Sequence, residues 1–337
     1  MKILVTGGSG FIGTNYIEFA ISKRFEVLNI DTKPPFKKEH IQFWKECDIM
    51  DFDKLKKIIF EFKPEYVVHL AAKTGAHSIR DIKEFAPNIQ GVENLIKALI
   101  DYSGLMSERV NGIREGCLKR VIFTSSLLVC KMGYIPKHDE DYMPTTAYGQ
   151  SKVEGEKIVR NWQNLPFEWT IIRPISVWGP WMIEPYINFF KAIKQGWYFH
   201  IGDGHYKRSM GYVENIAHEI HSILLAPSEK VHKKTFYVGD PEPTDLHDFA
   251  ESVREKMGAP KIHRMPMWIA KTFAKVGDTL KILGWTNAPL TSFRLKNITT
   301  EYVFDLSPIL EVCDGKLPYD RETAVEKTVE WFKRCYN

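Results

Sequence analysis

The 337-residue chain has no long apolar run, no cysteine pair at C-x-x-C spacing and no block of like charge. The first absence argues against a membrane-spanning helix, which needs about 20 consecutive apolar residues. The second leaves Cys47, Cys117, Cys130, Cys313 and Cys335 scattered, the pattern of free thiols in a reducing compartment rather than of a disulfide scaffold or zinc finger. The third, with a formal charge of only +4, excludes a nucleic-acid track. There is no internal repeat and no low-complexity tract, and with an apolar strand beginning at Lys2 no signal peptide is expected. The expectation is a cytoplasmic protein with one large core or two closely joined ones.

Against these absences stands Thr6-Gly7-Gly8-Ser9-Gly10-Phe11-Ile12-Gly13, set between the apolar run Lys2-Ile3-Leu4-Val5 and a helical pattern over 11–23. Strand, glycine-rich turn and helix in that order aim backbone N–H groups and the positive end of a helix dipole at one point, where a pyrophosphate can sit. Gly7 allows the tight turn, Gly10 the approach of backbone to phosphate, and Gly13 close packing of helix on strand. Asp31 closes the next apolar run, 25–30, eighteen residues after Gly13, where a carboxylate can hold the ribose hydroxyls of adenosine. The pattern predicts a dinucleotide site. Asp31 favours NAD, because its charge opposes a 2′-phosphate, while Lys33, Lys37 and Lys38 keep NADP possible.

Strand and helix patterns alternate through the first half, which predicts an α/β fold with a doubly wound parallel sheet. A third strand is expected over 41–47, ending at Asp48-Ile49, then a helix capped by Asp51 and stopped by Pro64. The run 66–72 reads as an inner strand ending in Leu70-Ala71-Ala72, small enough for a cofactor to lie against the backbone. A helix over 88–102 leads through a long polar connection, 103–119, to a strand over 121–126 that ends in Thr124-Ser125-Ser126. Hydroxyls there sit at the carboxyl edge of the sheet, where such folds bind ligands. A helix over 147–162 and a strand over 168–173 follow. After Ile175 the alternation breaks; a helix over 213–225 and a strand over 235–238 suggest a return to the sheet, and further helices are expected over 246–257, 268–283 and 321–334.

Tyr148 and Lys152 lie four residues apart on one helical face, and no other tyrosine of the fourteen has a lysine at that spacing. An alcohol can lose a hydride only as its hydroxyl loses a proton, so a base is needed beside the acceptor. Lowering a phenol from about 10 to about 7 takes roughly 4 kcal/mol of preferential phenolate stabilisation, and a neighbouring ammonium has the right sign to supply it. Tyr148 is the candidate base, Lys152 its activator, and Ser126 the hydroxyl that holds the substrate oxygen. His218 and His221, with no further ligand in the sequence, do not make a metal site, and none is expected.

These motifs, with His69-Leu70-Ala71-Ala72, Asn88 and Arg173-Pro174, resemble the extended short-chain dehydrogenase/reductases, the NAD-dependent epimerase/dehydratase group. The resemblance runs on through Gly202-Asp203-Gly204, Arg208, Tyr212-Val213-Glu214-Asn215 and Leu317-Pro318. It implies a Rossmann domain over 1–175 with a return segment over 212–240, and a smaller mixed α/β substrate domain from 176–211 and 241–337. It implies cofactor contacts from Gly7, Gly10, Phe11, Ile12, Gly13, Asp31, Asp48, Ile49, Leu70, Ala71, Ala72, Asn88, Ser125, Tyr148, Lys152 and Pro174, and substrate contacts from Ser126, Tyr148 and Arg208. It also implies a homodimer through the helices 88–102 and 147–162.

Two departures bear on the reaction. Val129-Cys130-Lys131 stands where relatives carry Val-Tyr-Gly, and Leu127-Leu128 follows Ser126 where dehydratases carry Asp-Glu. The leucines cannot move protons, which disfavours elimination. The leading expectation is an epimerase or ketoreductase acting at a ring carbon, C4, of a nucleotide sugar, with a place in polysaccharide biosynthesis; Arg208 would hold the diphosphate. The alternatives are a 3β-hydroxysteroid or sterol-type dehydrogenase, whose interfacial helix would be 268–283, and a scaffold that binds cofactor without catalysis.

Overall fold

A computed structural model describes residues 1–75, 81–106, 118–285 and 290–336, with only the backbone of 105 and 106. In chain order the first half contains β1 (Lys2–Thr6), α1 (Phe11–Ser22), β2 (Glu26–Asp31), β3 (Trp44–Glu46), α2 (Phe52–Phe62), β4 (Tyr66–His69), α3 (Ala86–Met106), β5 (Arg120–Thr124), α4 (Ala147–Asn161) and β6 (Glu168–Pro174). There follow β7 (Val177–Trp178), α5 (Tyr186–Lys194), β8 (Phe199–Ile201), β9 (Lys207–Arg208), β10 (Gly211–Tyr212), α6 (Val213–Leu225), α7 (Ser228–Val231) and β11 (Thr235–Val238). The last part holds β12 (Thr244–Asp245), α8 (Leu246–Met257), β13 (His263–Met265), α9 (Met267–Ile282), α10 (Ser292–Thr299), α11 (Ser307–Val312) and α12 (Arg321–Tyr336).

Seven parallel strands form the central sheet in the order β3-β2-β1-β4-β5-β6-β11, which reverses direction beside β1 as doubly wound sheets do. The strands read as unbroken apolar runs because both faces are covered. Ile3 and Val5 point into a core shared with α1 and α6, while Leu4 points into one shared with α2, α3 and α4. The same alternation separates Val68 from Val67 and Ile122 from Val121 and Phe123. The returning strand 235–238 pairs in register with β6, Phe236 opposite Ile172.

Local signals set the element ends. Asp51 caps α2 by accepting from the Lys54 N–H at 3.1 Å, and Lys63 leaves the helix in the left-handed region just before Pro64. The strand expected over 41–47 is a correction: it starts only at Trp44, because Lys38–Phe43 coils into a 3-10 helix that turns Ile41 to solvent and buries His40 against Glu18. The strands expected to reach Ala72 and Ser126 stop at His69 and Thr124. Of the connection 103–119, residues 107–117 lie outside the described residues. Cys47, Cys130 and Cys313 are buried free thiols and Cys335 is an exposed one, while Cys117 lies in that same stretch.

Beyond β6 a separate aromatic core joins Trp178, Phe190, Tyr212, Phe249 and Phe332 from β7, α5, β10, α8 and α12. The α9–α10 hairpin closes on a small cluster of Ile201, Ala270, Ala274 and Leu295. No helix among the described residues is long and apolar enough to cross a membrane.

Candidate active site

The glycine turn makes an open cradle. Gly7 has φ +73°, and a Cβ there would lie 2.5 Å from the Ala71 amide nitrogen, so the turn can press against the chain leaving β4 only without a side chain. At Gly10 the side facing away from the protein is open; a Cβ would meet nothing nearer than the Gly7 carbonyl at 3.3 Å. Gly10 is also the N-cap of α1 and offers no side-chain cap. Among the described residues the first-turn N–H groups of Phe11 and Ile12 have no internal partner, so they are available to an anion. Asp31 stands directly beside this cradle, accepting from Ser9 N–H and Lys33 N–H, each at 3.1 Å. Burial pushes its carboxyl above the ordinary value, and those N–H groups offset only part of that. A dinucleotide with its pyrophosphate on the cradle and its ribose at Asp31 fits these donors and this acceptor.

Ser126, Tyr148 and Lys152 converge at the carboxyl ends of β4 and β5. Ser126 leaves β5 in extended conformation and accepts from the Leu128 N–H at 3.1 Å. Its hydroxyl faces the Tyr148 phenol closely enough to draw its pKa down. Thr146 caps α4 by accepting from the Gly149 N–H at 3.0 Å, which fixes where Tyr148 and Lys152 enter the site. The Lys152 ammonium donates to the Thr124 carbonyl at 2.9 Å and lies 6.0 Å from the centre of the Tyr148 ring. Burial raises the phenol, and the Ser126 hydroxyl counters this only partly. Burial also pushes the Lys152 ammonium down to about 8, against the pull of Glu156. The pair is therefore held at a cost: burial opposes the charged form of both the phenol and the ammonium.

No motif in the sequence picks out Glu156, yet it completes the α4 stripe one turn beyond Lys152. It meets Arg173 of β6 in a two-point ion pair, Nε to Oε1 at 2.8 Å and Nη2 to Oε2 at 2.7 Å, with both side chains almost fully buried. Burial would raise its carboxyl, but the Arg173 guanidinium more than offsets this and holds it below the ordinary value. The Arg173 plane also lies 5.6 Å from Tyr142 and 5.4 Å from Tyr237. The signal was the spacing 148, 152, 156 on one helix face. Between this pair and β4 is a cavity of about 20 Å³ lined by His69, Asn88, Thr124, Ser125, Lys152 and Glu156, about the room one water needs. His69 bonds Thr6 through Nδ1 at 2.7 Å, and burial, helped by Lys152, pushes it down to about 3, so it is neutral.

Other residues singled out in the sequence have different surroundings. Asn88 spends its amide internally, accepting from Lys73 N–H at 2.8 Å and donating to the Lys73 carbonyl and to Ser151, so it braces the segment after β4 against α4. Asp48 is exposed at the end of β3 and accepts from the Met50 N–H, while Ile49 is buried against Gly91. Leu70, Ala71 and Ala72 line the chain beside the Gly7 turn, and Pro174 ends β6. Arg208 lies on β9, its guanidinium 5.3 Å from the Tyr302 ring and bonded to the Asn297 carbonyl, with Nε buried and unpartnered. Tyr302 is hydrogen-bonded to Ser176, two residues beyond Pro174, which ties the Arg208 segment to the end of β6. His218 and His221 pack against Phe19. The structure instead gathers histidines that the sequence separates: His200, His247 and Glu251, and His205, His247 and Asp248, each group with ligand atoms within 4.8 Å, a geometry that could hold a metal ion.

The description of the NAD dependent epimerase/dehydratase family matches residues 3–239. The chain is 26% identical over 342 residues to the N-acetyl-alpha-D-glucosaminyl-diphospho-ditrans,octacis-undecaprenol 4-epimerase of Escherichia coli O157:H7, covering 98% of this chain and 95% of that one. It is 26% identical over 353 residues to the UDP-glucose 4-epimerase of Vibrio cholerae, covering 100% and 97%. The crystal structure of UDP-glucuronic acid 4-epimerase from Bacillus cereus in complex with UDP-glucuronic acid and NAD superposes with a TM-score of 0.72 at 19% identity, covering 100% of both chains.

Proposed function

Because this chain belongs to the NAD dependent epimerase/dehydratase family, we propose that it uses NAD to oxidise and reduce C4 of a sugar carried on a diphosphate, with Tyr148 as the base. The observation that carries this reading is the convergence of the Ser126 hydroxyl, the Tyr148 phenol and the buried Lys152 ammonium at the end of β5. The relatives support the substrate class, since one acts on a diphosphate-linked N-acetylglucosamine and another on UDP-glucose.

When bound, NAD supplies the hydride acceptor and a positive charge. The chain's own residues do the rest. Phe11 and Ile12 N–H groups and Asp31 hold the dinucleotide. Ser126 Oγ orients the sugar hydroxyl toward Tyr148 Oη, which takes its proton. Lys152, fixed by the Thr124 carbonyl, stabilises the phenolate so formed, and Tyr148 returns the proton when the carbonyl is reduced. Arg208 binds the diphosphate, its unpartnered Nε giving it capacity for an anion. Leu127 and Leu128 leave no acid for elimination, so epimerisation or ketoreduction is favoured over dehydration. The reading includes a division of the chain into a cofactor domain, 1–175 with 212–240, and a substrate domain, and a homodimer through α3 and α4.

The test is to denature the purified protein, identify any released dinucleotide, and then screen UDP-, GDP- and dTDP-sugars. Bound NAD with interconversion at C4 and no net redox turnover gives an epimerase, whereas exchangeable cofactor gives a reductase. Absence of dinucleotide, added or retained, would remove the basis of the proposal. Arg208→Ala should raise the substrate KM far more than it weakens NAD binding.

A further inference from the structure

We propose that the α9–α10 hairpin docks this chain on an anionic lipid bilayer, so that the sugar diphosphate it acts on is one carried by a membrane lipid. Soluble helices bury large apolar residues and expose polar ones. On α9 the order is inverted. Its buried residues are the small Ala270, Ala274 and Gly277, and a Cβ on Gly277 would lie 1.8 Å from the Leu290 carbonyl, so position 277 admits no side chain. Trp268 is 71% exposed, Ile282 86% and Leu283 76%, and Phe273, Val276, Trp285 and Phe293 are exposed as well. Seven of the eighteen large apolar side chains exposed among the described residues thus fall within 268–293, too dense a cluster to be scatter. Trp268, Phe273, Val276 and Leu283 share one arc of the helix, at 100° per residue.

The charge on the same hairpin has the sign that commits the occupant. Residues 267–299 carry Lys271, Lys275, Lys281, Arg294 and Lys296 against the single acid Asp278, an excess of +4 that equals the formal charge of the whole chain. Lys271, Lys275, Lys281 and Lys296 make no salt bridge among the described residues. A large apolar arc bordered by lysines matches an anionic bilayer surface, where the arc enters the acyl boundary and the ammonium groups stay at the headgroups. A second copy of the hairpin would bring two such cationic rims together.

The hairpin also reaches the site. The Arg208 guanidinium is bonded to the Asn297 carbonyl of α10, and Tyr302, which stacks on it, follows α10 directly. With the hairpin on the bilayer, Arg208 sits within one side-chain layer of the element that touches lipid. A diphosphate bound there can have an acyl or prenyl chain as its far end without leaving the membrane. The choice of substrate rests on the proposed C4 chemistry; the docking does not.

Docking is tested with the full chain and no substrate, by co-sedimentation with phosphatidylcholine vesicles with and without phosphatidylglycerol, at two salt concentrations. The protein should sediment with anionic vesicles, partition at least about tenfold less onto neutral ones, and lose a further tenfold or more in Phe273→Ser/Leu283→Ser, as the area removed from lipid requires. Retained NAD binding shows that the variant is folded. Protein left in the supernatant, partition indifferent to the variant, or a dimer in sedimentation velocity that the variant dissolves would each overturn docking. Activity then decides the carrier: a polyprenyl-diphosphate sugar in vesicles should be turned over with a higher kcat/KM than the matching nucleotide sugar, and the reverse order would overturn it. Failure of both substrates with vesicle binding intact would sink the carrier assignment and the C4 chemistry it rests on, and leave the docking standing.

Discussion

The stripe Tyr148, Lys152, Glu156 on α4 and the arc Trp268, Phe273, Val276 on α9 break the usual partition of polar and apolar residues in opposite directions. α4 carries an ammonium and a carboxylate into the protein, and α9 turns tryptophan and phenylalanine out of it. Each inversion has a local cause. On α4 the buried charges are answered by fixed partners: the Thr124 carbonyl for Lys152 and the Arg173 guanidinium for Glu156. On α9 the approach of the Leu290 carbonyl leaves no room for a side chain at Gly277, on the side where Ala270 and Ala274 are buried. A fold keeps such departures from its own packing rules where something outside the chain is to be met. On the proposed function the first region would meet a reacting hydroxyl, and on the docking proposal the second would meet an apolar surface.

The contrast can be broken by variants that act on one region alone. Tyr148→Phe should have the largest effect, lowering kcat by about a thousandfold while NAD affinity changes little, because it removes the proton acceptor and keeps the ring. Steady-state kinetics beside cofactor titration check this. Arg173→Met should next cost about 3 kcal/mol of stability in denaturant unfolding, since it leaves Glu156 in the interior with only the longer pair to Arg160 at 3.6 Å and the Tyr142 hydroxyl. Lys152→Met sharpens the comparison, because it should abolish most activity yet stabilise the fold. Burial pushes the ammonium down to about 8 in the folded chain, from the 10.5 of a lysine in water. Between those values the unfolded chain binds more protons, so stability rises with pH across that window and the buried charge costs stability below it. A lowering of that size corresponds to roughly 3 kcal/mol, and the lost bond to Thr124 returns only about 1. A higher unfolding midpoint at pH 7 and a flattened rise of stability from pH 8 to 10 are the expected readings. Smallest is Phe273→Ser, which should leave stability within about 0.5 kcal/mol, measured by the same unfolding curves, because the side chain is 56% exposed.

Much of the first region was legible in the sequence because it rests on short-range rules. The glycine turn, Asp31 and the i to i+4 pair Tyr148 and Lys152 are local patterns, and the returning strand 235–238 announces itself by an apolar run after a helix. The Glu156–Arg173 pairing was harder: the spacing 148, 152, 156 puts Glu156 on the right face of α4, but nothing in a helix marks which residue of a strand will meet it until both are folded. Arg208 could be matched by position, but its shelf on Tyr302 joins residues almost a hundred apart in sequence. For α9 the amphipathic pattern was visible and its sense was not: periodicity shows that a helix has two faces, and only the packing of Gly277 against Leu290 decides which is inside. The strand at 41–47 failed for a related reason, since Ile41 contributes an apolar letter and an exposed side chain.

The most direct test of the chemistry is a sugar diphosphate deuterated at C4, turned over by the wild-type chain. The account predicts a primary kinetic isotope effect, deuterium on the nicotinamide ring of cofactor trapped in single turnover, and loss of both in Tyr148→Phe. Full-rate turnover by Tyr148→Phe, or product formed with no deuterium ever reaching the cofactor, would contradict it.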